Sequence, residues 1–121
     1  MSSSKFLDEF YENGVFHVYN RTNNKELLFR SDENKRFFLQ QYKKYLGPFL
    51  DTFCWNLLPN HFHFMVRIKP YDEIYNQLQS LKQEVRTSTE EKFLKNEVNM
   101  NLLTEAEWTR FFTSYSMAFN K

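Results

Sequence analysis

Cysteine, glycine and proline are all scarce in this sequence, and each scarcity excludes a class of structure. The single cysteine, Cys54, excludes an intramolecular disulfide and a cysteine-based zinc site, and it fits the reducing environment of the cytoplasm. With only two glycines and three prolines, most of the chain is expected to form regular structure joined by few connections. No apolar run is long enough to span a membrane, and residues 1–5 lack the pattern of a signal peptide.

Net charge is also low, at +1, whereas proteins that bind nucleic acids usually carry a basic surface. Any contact with DNA must therefore come from local clusters of basic residues. The sequence offers two of them, Lys35, Arg36, Lys43 and Lys44 in one and Arg21, Arg67 and Lys69 in the other. Aromatic residues are plentiful by contrast, with 14 Phe, 7 Tyr and 2 Trp. Such rings fill a core first, and some can stack on bases.

The chain is long enough for one domain with a substantial core, and we expect residues 1–121 to form it. Alternating apolar residues predict strands over residues 15–21, 51–58 and 61–68. A first helix is predicted from a cap at Ser31 or Asp32 to about Leu46, where Gly47 would adopt a left-handed cap.

The second half of the chain is predicted to be helical, with one weaker segment. A helix capped by Asp72 would carry an apolar seam through Ile74, Leu78, Leu81 and Val85. Residues 87–101 are mostly polar and are predicted to be a loop or a short helix, and the most mobile part of the chain. The last helix is predicted to begin at Glu105, because Thr104 and Glu107 match a capping box.

The most informative motif follows the Pro59-Asn60 turn, where His61 and His63 alternate with apolar residues. Side chains at alternate positions of a strand lie on one face, so the two imidazoles start roughly 6–7 Å apart. That separation lets both rings converge on one divalent metal ion. Taken alone, the pair is equally compatible with ordinary surface or core histidines.

The string Pro-Asn-His-Phe-His-Phe-Met-Val, residues 59–66, resembles the signature of the single-tyrosine HUH endonucleases. Within that family it especially resembles the REP-associated tyrosine transposases and related insertion-sequence transposases. Further segments match that family in the same order, at residues 16–21, 28–34 and 115–120. The resemblance thus extends from about Val15 to the last residue.

The resemblance implies an α+β, ferredoxin-like fold in which the HUH strand is central in an antiparallel sheet beside the first strand. In the family a fourth strand follows the asparagine that corresponds to Asn120. The C-terminal part of the fold is therefore expected to be missing from this chain.

The resemblance also implies a function, a metal-dependent endonuclease that nicks and rejoins single-stranded DNA, often hairpin-bearing, through a 5′-phosphotyrosine. His61 and His63 would bind Mg²⁺ or Mn²⁺, and Tyr115 would be the nucleophile, on a helix lying across the histidines. Some relatives place a Gln ligand where this chain has Phe119, which leaves Asn120 as the candidate third ligand. His17, Asn20, Arg21 and Arg67 would contact DNA. Relatives occur as monomers and as homodimers.

Two alternatives remain open from the sequence. By periodicity alone, Tyr115 belongs to an aromatic stripe typical of a core, and the chain would then be a non-catalytic module that binds single-stranded nucleic acid. Alternatively, the histidines would belong to a metal-binding α+β domain with a small-molecule role, whose mark would be a closed pocket over His61 and His63.

Overall fold

The fold is α+β, with a three-stranded antiparallel sheet and four helices in the described residues. The computed structural model describes residues 9–21 and 27–119, with side chains described up to residue 115. The strands are β1 (Val15–Arg21), β2 (Leu50–Leu58) and β3 (His61–Ile68). The helices are α1 (Asp32–Leu46), α2 (Tyr71–Ser80), α3 (Ser88–Leu94) and α4 (Met100–Phe119), with a 3-10 turn at Gln83–Val85. Within these residues no helix is both long and apolar enough to cross a membrane.

The middle strand, β3, divides the molecule into two faces, since the strand order is β1-β3-β2. Phe62, Phe64, Val66 and Ile68 are all buried and form what we call the Phe face. His61 and His63 point the other way with their cross-strand neighbours, and we call this side the His face. The prediction that both histidines share one side of a central strand, opposite the phenylalanines, is confirmed.

Helices α1 and α4 cover the Phe face and build the core there. Phe38 of α1 is fully buried, and its ring centroid lies 5.4 Å from that of Phe62 and 4.8 Å from that of Phe111 in α4. Tyr42, one turn further along α1, stacks on Phe64 with centroids 4.1 Å apart. Each such ring contributes roughly 1.5–3 kcal/mol by burial. The helices are therefore held to the Phe face.

The first helix begins as predicted, but the ends of α1 and α2 differ from prediction. Ser31 caps α1 by accepting from the Asn34 amide at 3.1 Å. Gly47 has φ −51°, so the left-handed cap predicted there is wrong. The predicted cap at Asp72 is also wrong, because α2 begins one residue earlier after Pro70. The helix ends at Ser80, so the predicted seam is wrong beyond Leu78, and Leu81 and Val85 are exposed. Arg86 binds the carbonyls at this helix end, with its Nε 2.9 Å from that of Leu78.

The N-terminal caps of α3 and α4 also differ from the predicted ones. The box forms at Thr87 and Glu90, where each side chain binds the other's amide. It begins α3, a short helix within the segment predicted to be a loop or a loosely held short helix. The box predicted at Thr104 is wrong, because α4 begins at Met100 and the Thr104 hydroxyl donates to the Met100 carbonyl at 2.8 Å. Asn99 accepts from the Leu102 amide instead.

Glu107 is fully buried, with one carboxylate oxygen 3.1 Å from Nη1 of Arg110. Burial, together with hydrogen bonding and the charge of Glu90, raises the pKa of Glu107 from 4.5 to about 9, and Arg110 offsets this only in part. The folded protein therefore keeps a proton on this carboxyl at neutral pH, whereas the unfolded chain releases it.

This difference predicts that the free energy of unfolding decreases as the pH rises from about 4.5 to about 9. The slope contributed by Glu107 approaches about 1.4 kcal/mol per pH unit, since the folded state holds one more proton. Glu107→Gln mimics the protonated carboxyl and should flatten the profile. Denaturant unfolding at several pH values checks this, with Glu84→Gln, at an exposed glutamate, as the control. A profile that Glu107→Gln leaves as steep as before would contradict it.

Candidate functional site

His61 lies at the first position of β3, directly after the Pro59-Asn60 turn. Its Nδ1 is 2.7 Å from Oδ1 of Asn60. That amide oxygen only accepts hydrogen bonds, so Nδ1 of His61 donates and carries the ring proton. The lone pair of the neutral ring is therefore on Nε2, which is the arrangement that a metal ligand needs. From the sequence Asn60 is predicted only as a turn residue, and its position directly before His61 is the signal for this second role.

His63 is held from the neighbouring strand. Nδ1 of His63 lies 2.8 Å from Nε2 of His17, which β1 delivers to the same face through the pairing of Tyr19 with His63. The rings of His17 and Tyr19 have centroids 4.7 Å apart, and those of His17 and His63 are 5.0 Å apart with planes within 16°. We call these three residues the ring platform. Tyr19 is 55% exposed, so the platform is open to solvent at its edge.

The two imidazoles are close enough to share one ion. The ring centroids of His61 and His63 are 5.1 Å apart, with the planes nearly perpendicular. Both Nδ1 atoms are engaged, and among the described residues neither Nε2 makes a hydrogen bond. The described part of the chain holds no group of three or more His, Cys, Asp or Glu side chains placed to bind a metal. The donor set thus fits a cation bound through two nitrogens, with its other positions left to phosphate or water.

The four residues predicted to contact DNA are not equivalent. His17 and Arg21 lie on the His face, and Arg21 is exposed opposite His61. Arg67 is on the same face, but its Nε donates to Asp51 Oδ2 at 3.1 Å and its charge is already paired. Asn20 faces the other way, opposite Phe62, and its Oδ1 accepts from the Arg21 amide at 2.8 Å. Asn20 is therefore not brought to the histidines.

Tyr115 lies on the opposite side of the sheet from the imidazoles. It is 2% exposed, its ring centroid is 4.9 Å from that of Phe38, and its hydroxyl donates to the Leu28 carbonyl at 2.8 Å. The expectation that its helix crosses the His face is wrong, because the aromatic stripe of α4 packs on Phe38 and Phe62 instead. Burial raises the pKa of the Tyr115 phenol to about 12, so the ionised form is disfavoured there.

The Tyr115 hydroxyl is nevertheless linked to the turn before His61. The amides of Leu28 and Phe29 both donate to the Pro59 carbonyl, at 2.7 and 3.0 Å. A single segment, residues 27–30, thus separates the tyrosine from the first histidine. Asn120, the predicted third ligand, lies outside the described residues.

Replacing Tyr115 by Phe removes the hydrogen bond to the Leu28 carbonyl and leaves the ring packing in place. We expect the free energy of unfolding to fall by about 1 kcal/mol. Tyr11→Phe is the matched control, because Tyr11 is 61% exposed, and its change should stay within about 0.5 kcal/mol. Urea unfolding of the two variants measures both values. If Tyr115→Phe were as stable as the wild-type protein, the Tyr115 hydroxyl would not be bound to Leu28 in solution.

Comparison with known proteins adds no relative to this geometry: no protein-family model matches the chain, and neither does any curated protein or solved structure.

Proposed function

We propose that this chain is a transposase-like, metal-dependent endonuclease that nicks and rejoins single-stranded DNA on its His face. The observation that carries the proposal is that His61 and His63 lie side by side on an open sheet face, with both Nδ1 atoms engaged and neither Nε2 hydrogen-bonded within the described residues. A ferredoxin-like arrangement is part of the proposal. It is supported by the middle position of β3 and by helix α1 connecting β1 to β2.

His61 and His63 would hold Mg²⁺ or Mn²⁺, which when bound supplies positive charge to orient a phosphodiester and to stabilise negative charge developing on it. The chain's own side chains would place the strand. The exposed ring of Tyr19 offers a surface for base stacking, and the guanidinium of Arg21 can bind a backbone phosphate beside His61. An exposed sheet face with aromatic rings and an exposed arginine suits a single strand, whose bases are unpaired.

Tyr115 is the proposed nucleophile, and it must leave its packed position to act. In the reaction its hydroxyl oxygen would bond to phosphorus, the 3′ oxygen would leave, and the phenolic proton would pass to solvent or a base. The buried phenol, with a pKa near 12 and a hydrogen bond to Leu28, is unsuited to this step. We therefore take the packed Tyr115 as a resting state. To act at His61, Tyr115 would first have to break its hydrogen bond to Leu28, in the segment 27–30 that also binds the Pro59 carbonyl.

A specific observation favours a second candidate, the non-catalytic module that binds single-stranded nucleic acid. The buried, anchored Tyr115 is what such a module would have, since its ring then serves the core alone. The small-molecule alternative has less support, because the ring platform beside His61 and His63 is open at Tyr19.

The deciding experiment incubates the protein with Mn²⁺ and a hairpin-bearing single-stranded DNA, then looks for a covalent adduct by denaturing gel and mass spectrometry. We expect a 5′-phosphotyrosine at Tyr115. Tyr115→Phe should abolish the adduct and keep DNA affinity, because only the attacking oxygen is lost. His61→Ala and His63→Ala should lose both the adduct and Mn²⁺ binding, whereas Tyr11→Phe should retain both. DNA binding without any adduct would support the non-catalytic module instead.

The position of the DNA on the His face is tested separately with two arginines. Arg21→Ala should weaken single-stranded DNA binding and reduce the slope of log affinity against log salt by about 0.7, the value for one lost phosphate contact on a single strand. Arg36 is also exposed but lies on α1, the helix that covers the Phe face, so Arg36→Ala should change the slope little. If Arg36→Ala reduced the slope more than Arg21→Ala did, the DNA would bind on the helices instead.

A further inference from the structure

We infer that His17 is a positioning residue that fixes the tautomer of His63, keeping the lone pair of His63 on the outward Nε2. The inference deepens the proposed function, on which it rests for the identity of the bound cation. It starts from one contact, the 2.8 Å separation of His17 Nε2 and His63 Nδ1. The sequence assigned His17 to DNA contact, so this role is a different one for the same side chain.

A hydrogen bond between two neutral imidazoles holds one proton, and the proton has two possible places. If it is on Nδ1 of His63, that ring donates and its lone pair is on Nε2, where a cation can bind. If it is on Nε2 of His17, then His63 accepts through Nδ1 and carries its own proton on Nε2, where it blocks a cation. Only the first arrangement makes His63 a ligand.

The neighbouring histidine provides a comparison within the same site. Oδ1 of Asn60 can only accept, so its contact with Nδ1 of His61 favours the Nδ1–H tautomer of that ring. His17 performs the corresponding task for His63 only when it accepts through Nε2, with its own proton on Nδ1. The two ligand candidates are therefore oriented by one acceptor from the turn and one from β1.

The coupling between His17 and the bound cation acts in both directions, because both depend on the one proton shared by His17 and His63. A cation bound to Nε2 of His63 fixes the proton of that ring on Nδ1, which then donates to His17. Cation binding must therefore shift His17 toward its Nδ1–H tautomer, although His17 does not touch the ion. A side chain that only filled space would show no such response.

The backbone pairing of β1 with β3 holds the ring of His17 beside His63. The antiparallel pairing of β1 and β3 places Tyr19 directly opposite His63, and the Tyr19 ring lies against His17 with centroids 4.7 Å apart. The ring planes of His17 and His63 differ by only 16°, which keeps the bonding nitrogens aligned. The contact is thus a consequence of strand register.

Two substitutions test the acceptor nitrogen of His17 and its aromatic ring separately. His17→Phe keeps an aromatic ring beside Tyr19 and removes the acceptor nitrogen. His17→Gln removes the ring, but its amide oxygen can accept from Nδ1 of His63. Mn²⁺ affinity, measured by calorimetry, should fall about 10–100-fold in His17→Phe and be largely restored in His17→Gln. Wild-type affinity in His17→Phe, or equal losses in both variants, would overturn the inference.

The second measurement is ¹⁵N NMR of the histidine rings, which reports the tautomers without any DNA or activity. In the metal-free protein we expect His63 to be Nδ1–H, and we expect this preference to be lost in His17→Phe and kept in His17→Gln. Adding Mg²⁺ should increase the Nδ1–H tautomer of His17. A His63 tautomer that His17→Phe leaves unchanged would refute the positioning role. Failure to bind Mn²⁺ with the tautomers as expected would refute the metal-dependent function alone.

Discussion

The burial of alternate side chains along β3 is the constraint on which the rest of the structure depends. Because β3 is the middle strand, its backbone is paired on both edges and its register fixes which residues point to each face. Because Phe62 and Phe64 are buried under the helices, the alternation of the strand directs His61 and His63 to the open face of the sheet. A shift of one residue would exchange the faces and place two imidazoles in an aromatic core. The hydrophobic core and the candidate site are thus two results of the same alternation.

The same burial creates a conflict between the packed position of Tyr115 and its proposed role as a nucleophile. Its ring packs against Phe38 and its hydroxyl binds Leu28, so folding favours a position in which the phenol cannot act as a nucleophile. A catalytic role requires that binding of the substrate strand offset the loss of these contacts. The histidines show no such conflict, because Asn60 and His17 contact the two Nδ1 atoms and, among the described residues, neither Nε2 atom makes a hydrogen bond.

Much of this could be predicted from the sequence where a local pattern was decisive. Period-two alternation located β1 and β3 and both faces of the sheet, and Ser31 correctly began α1. Errors arose where a local signal competed with tertiary contacts. Thr104 and Glu107 match a capping box, but α4 begins at Met100 and Glu107 is buried against Arg110. A capping box forms at Thr87 instead, at the start of α3. Likewise, the motif around Tyr115 says nothing of which side its helix covers, and the contact between His17 and His63 depends on pairing across 46 residues.

The central claim is that His61 and His63 together hold a divalent cation through Nε2 on the open face of the sheet. Crystals soaked in Mn²⁺ and measured near the manganese absorption edge test this most directly, because the anomalous signal locates the metal without reference to activity. The account predicts one strong peak within coordination distance of Nε2 of both histidines, with Nδ1 of His61 still bound to Asn60. A peak elsewhere, coordination through Nδ1 after the rings have turned, or no peak at a saturating concentration would contradict it.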